Sequence, residues 1–215
     1  MADQEPIRFY FSFRSPYSWL ALVRVEAALA PYPVALQYIP VFPPPDFKND
    51  PTAVPNKLAY IRVDMARIAE AYGITATKSF STVDTNWVRP HAAFLYAQDH
   101  GKGCEFARSL YDARFVHGAD ITSDTVMSEV ASAHGLDPAA LIAASLDEPG
   151  FQTRVVLGMI QGAQEDAIFG VPLFVFRGER FWGNDRIEWL VRSIRRAQGL
   201  PVIDLSRDPS LPLDR

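Results

Sequence analysis

Segments typical of β-strands occur only near the two ends of this chain, and the long stretch between them has helical patterns. Near the start, residues 7–13 (Ile-Arg-Phe-Tyr-Phe-Ser-Phe) and 34–41 (Val-Ala-Leu-Gln-Tyr-Ile-Pro-Val) are rich in aromatic and β-branched residues. Strand character returns only at residues 171–176 (Val-Pro-Leu-Phe-Val-Phe) and 180–182 (Arg-Phe-Trp). The pattern predicts one sheet that is split in sequence by a helical block.

The first strand is followed at once by the start of a helix. Ser15 is a favourable N-cap, Pro16 is tolerated in the first turn, and apolar residues then recur at helical spacing as far as Ala27. Strand, helix and second strand form a βαβ unit, whose natural topology is a right-handed crossover between parallel strands. Because the first strand has few polar residues, we expect it to be central and buried.

The middle of the chain is predicted to be α-helical. After a proline-rich loop at 42–51, apolar residues from Leu58 to Tyr72 mark one face of a helix that ends at Gly73. Five more helices are predicted at residues 92–99, 106–115, 125–134, 139–146 and 151–166. Gly178 favours a tight hairpin between the last two strands, and a final helix follows at about residues 185–197.

Several classes of site are excluded by residue counts. Cys104 is the single cysteine, so an intramolecular disulfide, a Cys-x-x-Cys redox pair and a cysteine-rich zinc site are ruled out. The four histidines have no metal-ligand spacing, and we interpret each as a surface or structural residue; they are His91, His100, His117 and His134. We therefore predict no metal.

Charge and hydropathy limit the partners. The formal net charge of −4 gives no electrostatic reason to expect nucleic acid. No apolar run approaches the roughly 20 residues that span a bilayer. The acidic, polar start of the chain is unlike a secretory signal, so we expect a cytoplasmic protein without membrane contact.

Three separated segments together form a recognisable pattern. They are residues 9–21 (Phe-Tyr-Phe-Ser-Phe-Arg-Ser-Pro-Tyr-Ser-Trp-Leu-Ala), 170–174 (Gly-Val-Pro-Leu-Phe) and 181–186 (Phe-Trp-Gly-Asn-Asp-Arg). The combination resembles the 2-hydroxychromene-2-carboxylate isomerase family, which belongs with kappa-class glutathione transferases among DsbA-like proteins. The resemblance implies an α/β thioredoxin-like fold (βαβ … ββα) with a large α-helical insertion. The predicted division is a thioredoxin-like domain at 1–72 and 168–200, an inserted helical domain at 73–167, and a C-terminal tail at 201–215.

The resemblance gives Ser15 a catalytic role in a glutathione-dependent isomerase. It implies that Ser15 replaces the reactive cysteine of redox relatives and hydrogen-bonds the sulfur of bound glutathione. A helix N-terminus and a hydroxyl donor both favour a thiolate. Considered locally, Ser15 is better explained as a helix cap alone; the matches at Val171-Pro172 and Asn184-Asp185 favour the catalytic role.

Further glutathione contacts are implied in the last third of the chain. Val171 and Pro172 resemble the cis-proline element of thioredoxin-like folds, where the backbone of the residue before proline pairs with the peptide; a trans proline opening an edge strand is the alternative. Gly183, Asn184 and Asp185 resemble the segment that holds the γ-glutamyl end, and an Asn or Asp helix cap is compatible with that role.

The remaining candidates come from the first half of the chain. The resemblance implies that Lys57 binds glutathione or the anionic substrate, and that Asp64 reaches the glutathione of the other subunit of a homodimer. Both could instead be solvated surface residues. The candidates on the substrate side are Asn49, Asn86 and Arg89.

The implied reaction is reversible addition of glutathione thiolate to an unsaturated, aromatic-derived carboxylate. One departure from the family concerns Ser12, because relatives commonly have Phe-Asp-Phe where this chain has Phe11-Ser12-Phe13. Arg14 adds a cation beside Ser15 that could favour the thiolate or attract a carboxylate. The alternatives are a kappa-like transferase that forms a stable conjugate and a non-catalytic thioredoxin-like binding module. A disulfide oxidoreductase is ruled out by Ser15 and Ser18, which occupy both cysteine positions.

Overall fold

The computed structural model describes residues 5–42, 54–76 and 86–202. The strands are β1 (Ile7–Phe11), β2 (Leu36–Pro40), β3 (Leu173–Phe176) and β4 (Glu179–Trp182). The helices are α1 (Pro16–Leu29), α2 (Pro55–Ala71), α3 (Val88–Asp99), α4 (Gly103–Phe115), α5 (Asp124–Ala133), α6 (Pro138–Leu146), α7 (Thr153–Glu165) and α8 (Ile187–Ala197). A π-helical turn (Glu148–Gln152) precedes α7, and a 3₁₀ turn (Asn184–Arg186) precedes α8.

The four strands form one mixed sheet in the order β2-β1-β3-β4. The pair β1 and β2 is parallel, as the βαβ prediction requires, whereas β1 pairs antiparallel with β3, and β3 with β4. The predicted central position of β1 is confirmed. Arg177 and Gly178 both have positive φ, of 50° and 77°, so the turn between β3 and β4 is the tight hairpin that Gly178 favours.

The segments that carry the family resemblance lie together at one edge of the sheet. Tyr10 pairs with Leu173, and Leu173 with Trp182, so the end of β1 meets the start of β3 and the end of β4. Phe11 pairs with Pro40, so β2 ends there too. We call this the active edge; its loops are residues 12–15, 41–42, 171–172 and 183–186.

Aromatic packing connects this sheet to the helical block. The Phe9 ring stacks on Phe174 at 4.7 Å, and Phe11 contacts Phe94 of α3 edge-on at 5.0 Å. Farther along, Phe13 packs against Tyr111 of α4 at 4.9 Å. These rings belong to one continuous core, which holds the helices over the end of β1.

The structure shortens or shifts several predicted elements. The strand predicted to reach Phe13 ends at Phe11, because the chain must turn to begin α1 at Pro16. Helix α3 begins at Val88 and not at residue 92, since Pro90 lies in its first turn, where a missing N–H costs nothing. The last helix begins at Ile187 after the 3₁₀ turn.

The predicted domain boundaries remain a prediction, although α3 to α7 all lie between β2 and β3 in sequence. Residues 203–215 of the predicted tail lie outside the described residues. Among the helices that the structure describes, none is both long and apolar enough to cross a bilayer.

Candidate active site

Ser15 caps helix α1 in the way its sequence predicts. Its Oγ accepts a hydrogen bond from the backbone N–H of Ser18 at 3.2 Å, and its φ and ψ are in the extended region typical of an N-cap. The backbone N–H of Ser15 donates to the carbonyl of Ser12 at 2.9 Å. Capping uses only a lone pair of the hydroxyl, so the Ser15 proton remains available to an acceptor outside the helix.

The first turn of α1 presents a second donor next to this hydroxyl. Pro16 has no N–H, and the amide of Tyr17 makes no hydrogen bond to any residue the structure describes. The positive end of the helix dipole adds to the potential here. The Ser15 hydroxyl and the Tyr17 amide are therefore two donors at one turn of helix, an arrangement that suits an anion.

The loop before β3 provides a free stretch of backbone on the same edge. The Val171–Pro172 peptide bond is cis, as the resemblance implies. The backbone of Val171 makes no hydrogen bond within the described part of the chain, whereas the carbonyl of Pro172 accepts from the Gly183 amide at 2.9 Å. Val171 can thus pair with an extended peptide, while Pro172 ties this loop to the 183–186 segment.

The 183–186 segment is held against α1 by Arg24. One guanidinium nitrogen donates to the carbonyl of Asn184 at 2.6 Å and to its side-chain oxygen at 3.1 Å, and another binds Glu188 at 2.7 Å. Asn184 is buried, so its side chain serves this internal contact. Asp185 is exposed and pairs with Arg186 at 2.8 Å, which leaves its carboxylate accessible to a ligand cation.

Gly183 occupies a conformation that other residues avoid. Its φ of 114° and ψ of 154° lie in a region populated almost only by glycine, and an added Cβ would collide with the Asp185 carboxylate. We expect Gly183→Ala to lower the free energy of unfolding by about 1–3 kcal/mol and to move Asp185. Glutathione affinity, measured by calorimetry, should fall by about 10-fold.

The control for that prediction is Gly135→Ala in the helical block. Gly135 also has positive φ, of 70°, but an added Cβ meets nothing within 4 Å. We expect the control to lose stability without losing glutathione affinity. Equal affinities in wild type and the Gly183 variant would show that this segment does not hold the ligand.

A buried contact between Ser12 and His91 fixes the loop that carries Ser15. The Nε2 atom of His91 accepts from the backbone N–H of Phe13 at 3.1 Å and lies 3.1 Å from the Ser12 hydroxyl, while Nδ1 donates to the carbonyl of Trp87 at 2.7 Å. Burial lowers the pKa of His91 to about 4, so the ring is neutral at physiological pH. The sequence interpretation of His91 as a surface or structural residue agrees with this position, but nothing in the sequence indicated the contact with Ser12.

Asp64 of α2 contacts the Ser15-Pro16-Tyr17-Ser18 motif through Tyr17. The Tyr17 hydroxyl donates to Asp64 at 2.8 Å, and the other carboxylate oxygen accepts from Arg67 at 2.9 Å and from Tyr60 at 3.3 Å. Burial and this bond to Asp64 raise the pKa of Tyr17. Lys57 is exposed in the first turn of the same helix.

The three candidates on the substrate side have different placements. Asn86 is exposed just before α3, and its carbonyl accepts from the Arg89 amide at 3.3 Å. The Arg89 guanidinium is held within the helical block by the carbonyl of Thr122 at 3.2 Å, by Asp124 at 2.5 Å and by the Ser145 hydroxyl at 3.1 Å. Asn49 lies outside the described residues.

The single cysteine is not placed for thiol chemistry. Cys104 lies on α4, where its Sγ donates to Glu26 at 2.7 Å and is 3.6 Å from the Tyr38 hydroxyl. Burial raises the pKa of this thiol, so it stays protonated near neutral pH. Within residues 5–42, 54–76 and 86–202, no three His, Cys, Asp or Glu side chains are grouped so that they could hold a metal ion.

Comparison with known proteins gives consistent matches over nearly the whole chain. The family profile described as a DSBA-like thioredoxin domain matches residues 6–195. Two curated proteins named 2-hydroxychromene-2-carboxylate isomerase are similar to this chain. The one from Sphingobium xenophagum is 27% identical over 190 residues, covering 86% of this chain and 95% of its own length. The one from Pseudomonas putida is 25% identical over 205 residues, covering 88% and 94%.

A solved structure of a 2-hydroxychromene-2-carboxylate isomerase has the same fold. It superposes with a TM-score of 0.77 at 24% identity, over 90% of this chain and 96% of that one. A likeness of this extent, together with the family profile, confirms the fold predicted from the sequence, a DsbA-like thioredoxin fold with inserted helices.

Proposed function

The chain belongs to the family of DSBA-like thioredoxin domains, and on that basis we propose that it is a glutathione-dependent isomerase of 2-hydroxychromene-2-carboxylate or a closely similar acid from aromatic catabolism. The names of the curated relatives support isomerase activity. The observation that carries the proposal is the placement of Ser15: a hydroxyl, and not a thiol, stands at the start of α1 on the active edge.

The residues of the active edge fit glutathione by the chemistry of their donors and acceptors. Val171 offers to the cysteinyl part of the tripeptide an amide and a carbonyl that bond to none of the described residues. Asp185 offers a carboxylate to the γ-glutamyl ammonium. Ser15 and Tyr17 offer an O–H and an N–H to the sulfur. Lys57 supplies a cation for a carboxylate of glutathione or of the substrate.

Bound glutathione would supply a nucleophilic thiolate that adds reversibly to an unsaturated carbon of the substrate. The Ser15 hydroxyl would donate to that sulfur and stabilise its negative charge, and the Tyr17 amide and the dipole of α1 would do the same. Ser15 need not lose its own proton, since its oxygen does not attack the substrate. The contact between Ser12 and His91 would keep the hydroxyl in place during turnover.

A test of this function is the conversion of 2-hydroxychromene-2-carboxylate, followed by ultraviolet absorbance as glutathione is varied. The rate should rise with glutathione and saturate, and thiol titration should recover all the glutathione at the end, because a cofactor is regenerated. Conversion at an undiminished rate without glutathione would overturn the proposal.

The same assay separates the alternatives. A kappa-like transferase would consume glutathione stoichiometrically and give a conjugate that mass spectrometry detects. A non-catalytic binding module would give neither conversion nor glutathione binding.

The kappa-class resemblance also implies a homodimer, and with it a role for Asp64 in the partner's site; sedimentation velocity tests that prediction. Cytoplasmic localisation stays a prediction.

A further inference from the structure

Arg24 lies where α1, α2, α8 and the 183–186 segment meet. Besides its bonds to Asn184 and Glu188, its Cζ atom lies 4.1 Å from the ring centroid of Tyr72, which follows α2. Its side chain is only 12% exposed. Three elements therefore hold one guanidinium in place, and the ring of Tyr72 helps to fix the plane in which its N–H groups donate.

The middle of the 183–186 segment is held by this guanidinium. The two ends of the segment are fixed by other contacts, because the Gly183 amide donates to the loop before β3 and Ile187 is buried in the core. Between them, the backbone carbonyl and the side-chain oxygen of Asn184 both accept from the same guanidinium nitrogen. Since a peptide unit is planar, fixing the Asn184 carbonyl also fixes the direction in which the chain continues to Asp185.

The charge of Arg24 has the wrong sign to attract the γ-glutamyl ammonium that is proposed to bind at Asp185. Two cations repel each other, and the ion pair of Arg24 with the exposed Glu188, at 2.7 Å, offsets that repulsion only in part. A favourable effect of Arg24 on glutathione binding therefore has to come from geometry, through the backbone that carries the Asp185 carboxylate. Because the two effects have opposite signs, an experiment can separate them.

We propose that Arg24 is a positioning residue for the γ-glutamyl end of glutathione. It does not touch the ligand; it holds the Asn184 carbonyl and thereby sets the exposed Asp185 carboxylate where the ligand ammonium binds. This inference rests on the proposed function and adds to it a residue outside the segments that carry the family resemblance. Helix α1 then positions both ends of the site, because it begins at the Ser15 cap and carries Arg24 in its second half.

The first test compares, by calorimetry, two ligands that differ only in the ammonium, glutathione and N-glutaryl-cysteinylglycine. Wild type should bind glutathione about 10-fold more tightly, which is the effect of one charge-assisted hydrogen bond. In Arg24→Gln this preference should fall below about threefold, while the affinity for the glutaryl peptide stays within about twofold of wild type. Removal of the positive charge alone would change the preference in the opposite direction.

Two further variants control this comparison. Glu188→Gln removes the ion pair but leaves the bonds from Arg24 to Asn184, so it should keep the preference of wild type. Arg24→Lys keeps a cation that can donate to the Asn184 carbonyl and should show an intermediate preference; it carries the test if Arg24→Gln does not fold. An equal weakening of both ligands in the Arg24 variants, or a preference unchanged from wild type, would overturn the inference.

A double-mutant cycle tests whether Arg24 acts through Asp185. Asp185→Asn should lower glutathione affinity about 10-fold, and adding Arg24→Gln to it should lower the affinity by less than about a further twofold. Losses that multiply in full would show that the two residues act independently and would overturn the inference. A wild-type protein that binds no glutathione would refute the proposed function together with this inference, whereas the outcomes above refute only the role of Arg24.

Discussion

Ser15→Ala is expected to lower glutathione-dependent turnover by about 100-fold, the effect of removing one charge-assisted hydrogen bond of about 3 kcal/mol from the reacting sulfur. The loss should appear in kcat. The hydrogen bond from Ser15 stabilises the negative charge on sulfur when the thiolate forms and when it is expelled. Glutathione affinity should change by less than about 10-fold, since the contacts proposed for the peptide at Val171 and Asp185 would remain. Stopped-flow absorbance at saturating glutathione gives the kcat.

Loss of a helix cap is the competing explanation for that result. Ser15→Ala also removes the bond to the Ser18 amide, which costs about 1 kcal/mol of stability. Asp137→Ala is the matched control, because Asp137 caps α6 by accepting from the amides of Ala139 and Ala140, far along the chain. The control should lose similar stability and keep its turnover. Equal kinetic losses in both variants would assign Ser15 a structural role alone.

The second large effect concerns the buried His91. In the unfolded chain a histidine has a pKa near 6.5, whereas burial lowers the pKa of His91 in the folded protein to about 4. The unfolded state therefore binds more protons between these values, and the free energy of unfolding falls as the pH falls. The contribution of His91 is expected to reach about 3 kcal/mol by pH 4. Above pH 6.5 both states are neutral and the effect vanishes.

Denaturant unfolding of wild type and His91→Gln between pH 4 and 8 tests this expectation. The glutamine can accept from the Phe13 amide and donate to Trp87, but it does not titrate. The difference in unfolding free energy between the two proteins should therefore shrink as the pH is lowered. His100→Gln, which replaces an exposed ring, serves as the control. Parallel profiles for wild type and His91→Gln would show that His91 does not titrate on unfolding.

The parts of the site that the sequence predicted are those with a local or familiar pattern. A serine followed by proline and a helical repeat predicts the cap at Ser15, and the structure confirms it. The cis bond before Pro172 was expected only from the resemblance, because composition alone favours trans. The apolar spacing predicted where the helices lie. It did not predict that β1 ends at Phe11, because Phe13 is also apolar but packs against Tyr111 of the helical block.

The parts that the sequence missed depend on contacts between distant segments. Ser12 and His91 are 79 positions apart, and nothing in either segment indicates the other. The sequence also gave no sign that Arg14 and Arg114 both contact the Trp87 ring, because this contact requires the helical block to fold back over β1. The contact at His91 also gives Ser12 a role, because it places a neutral hydroxyl beside a neutral imidazole.

A crystal structure with glutathione bound is the decisive test of the role proposed for Ser15. We expect the sulfur within about 3.5 Å of the Ser15 Oγ, on the side away from the Ser18 amide that this oxygen caps. We also expect the peptide along Val171 and the ammonium at Asp185. A tripeptide bound elsewhere, or a sulfur turned away from α1 with Ser15 serving only as a cap, would contradict this role.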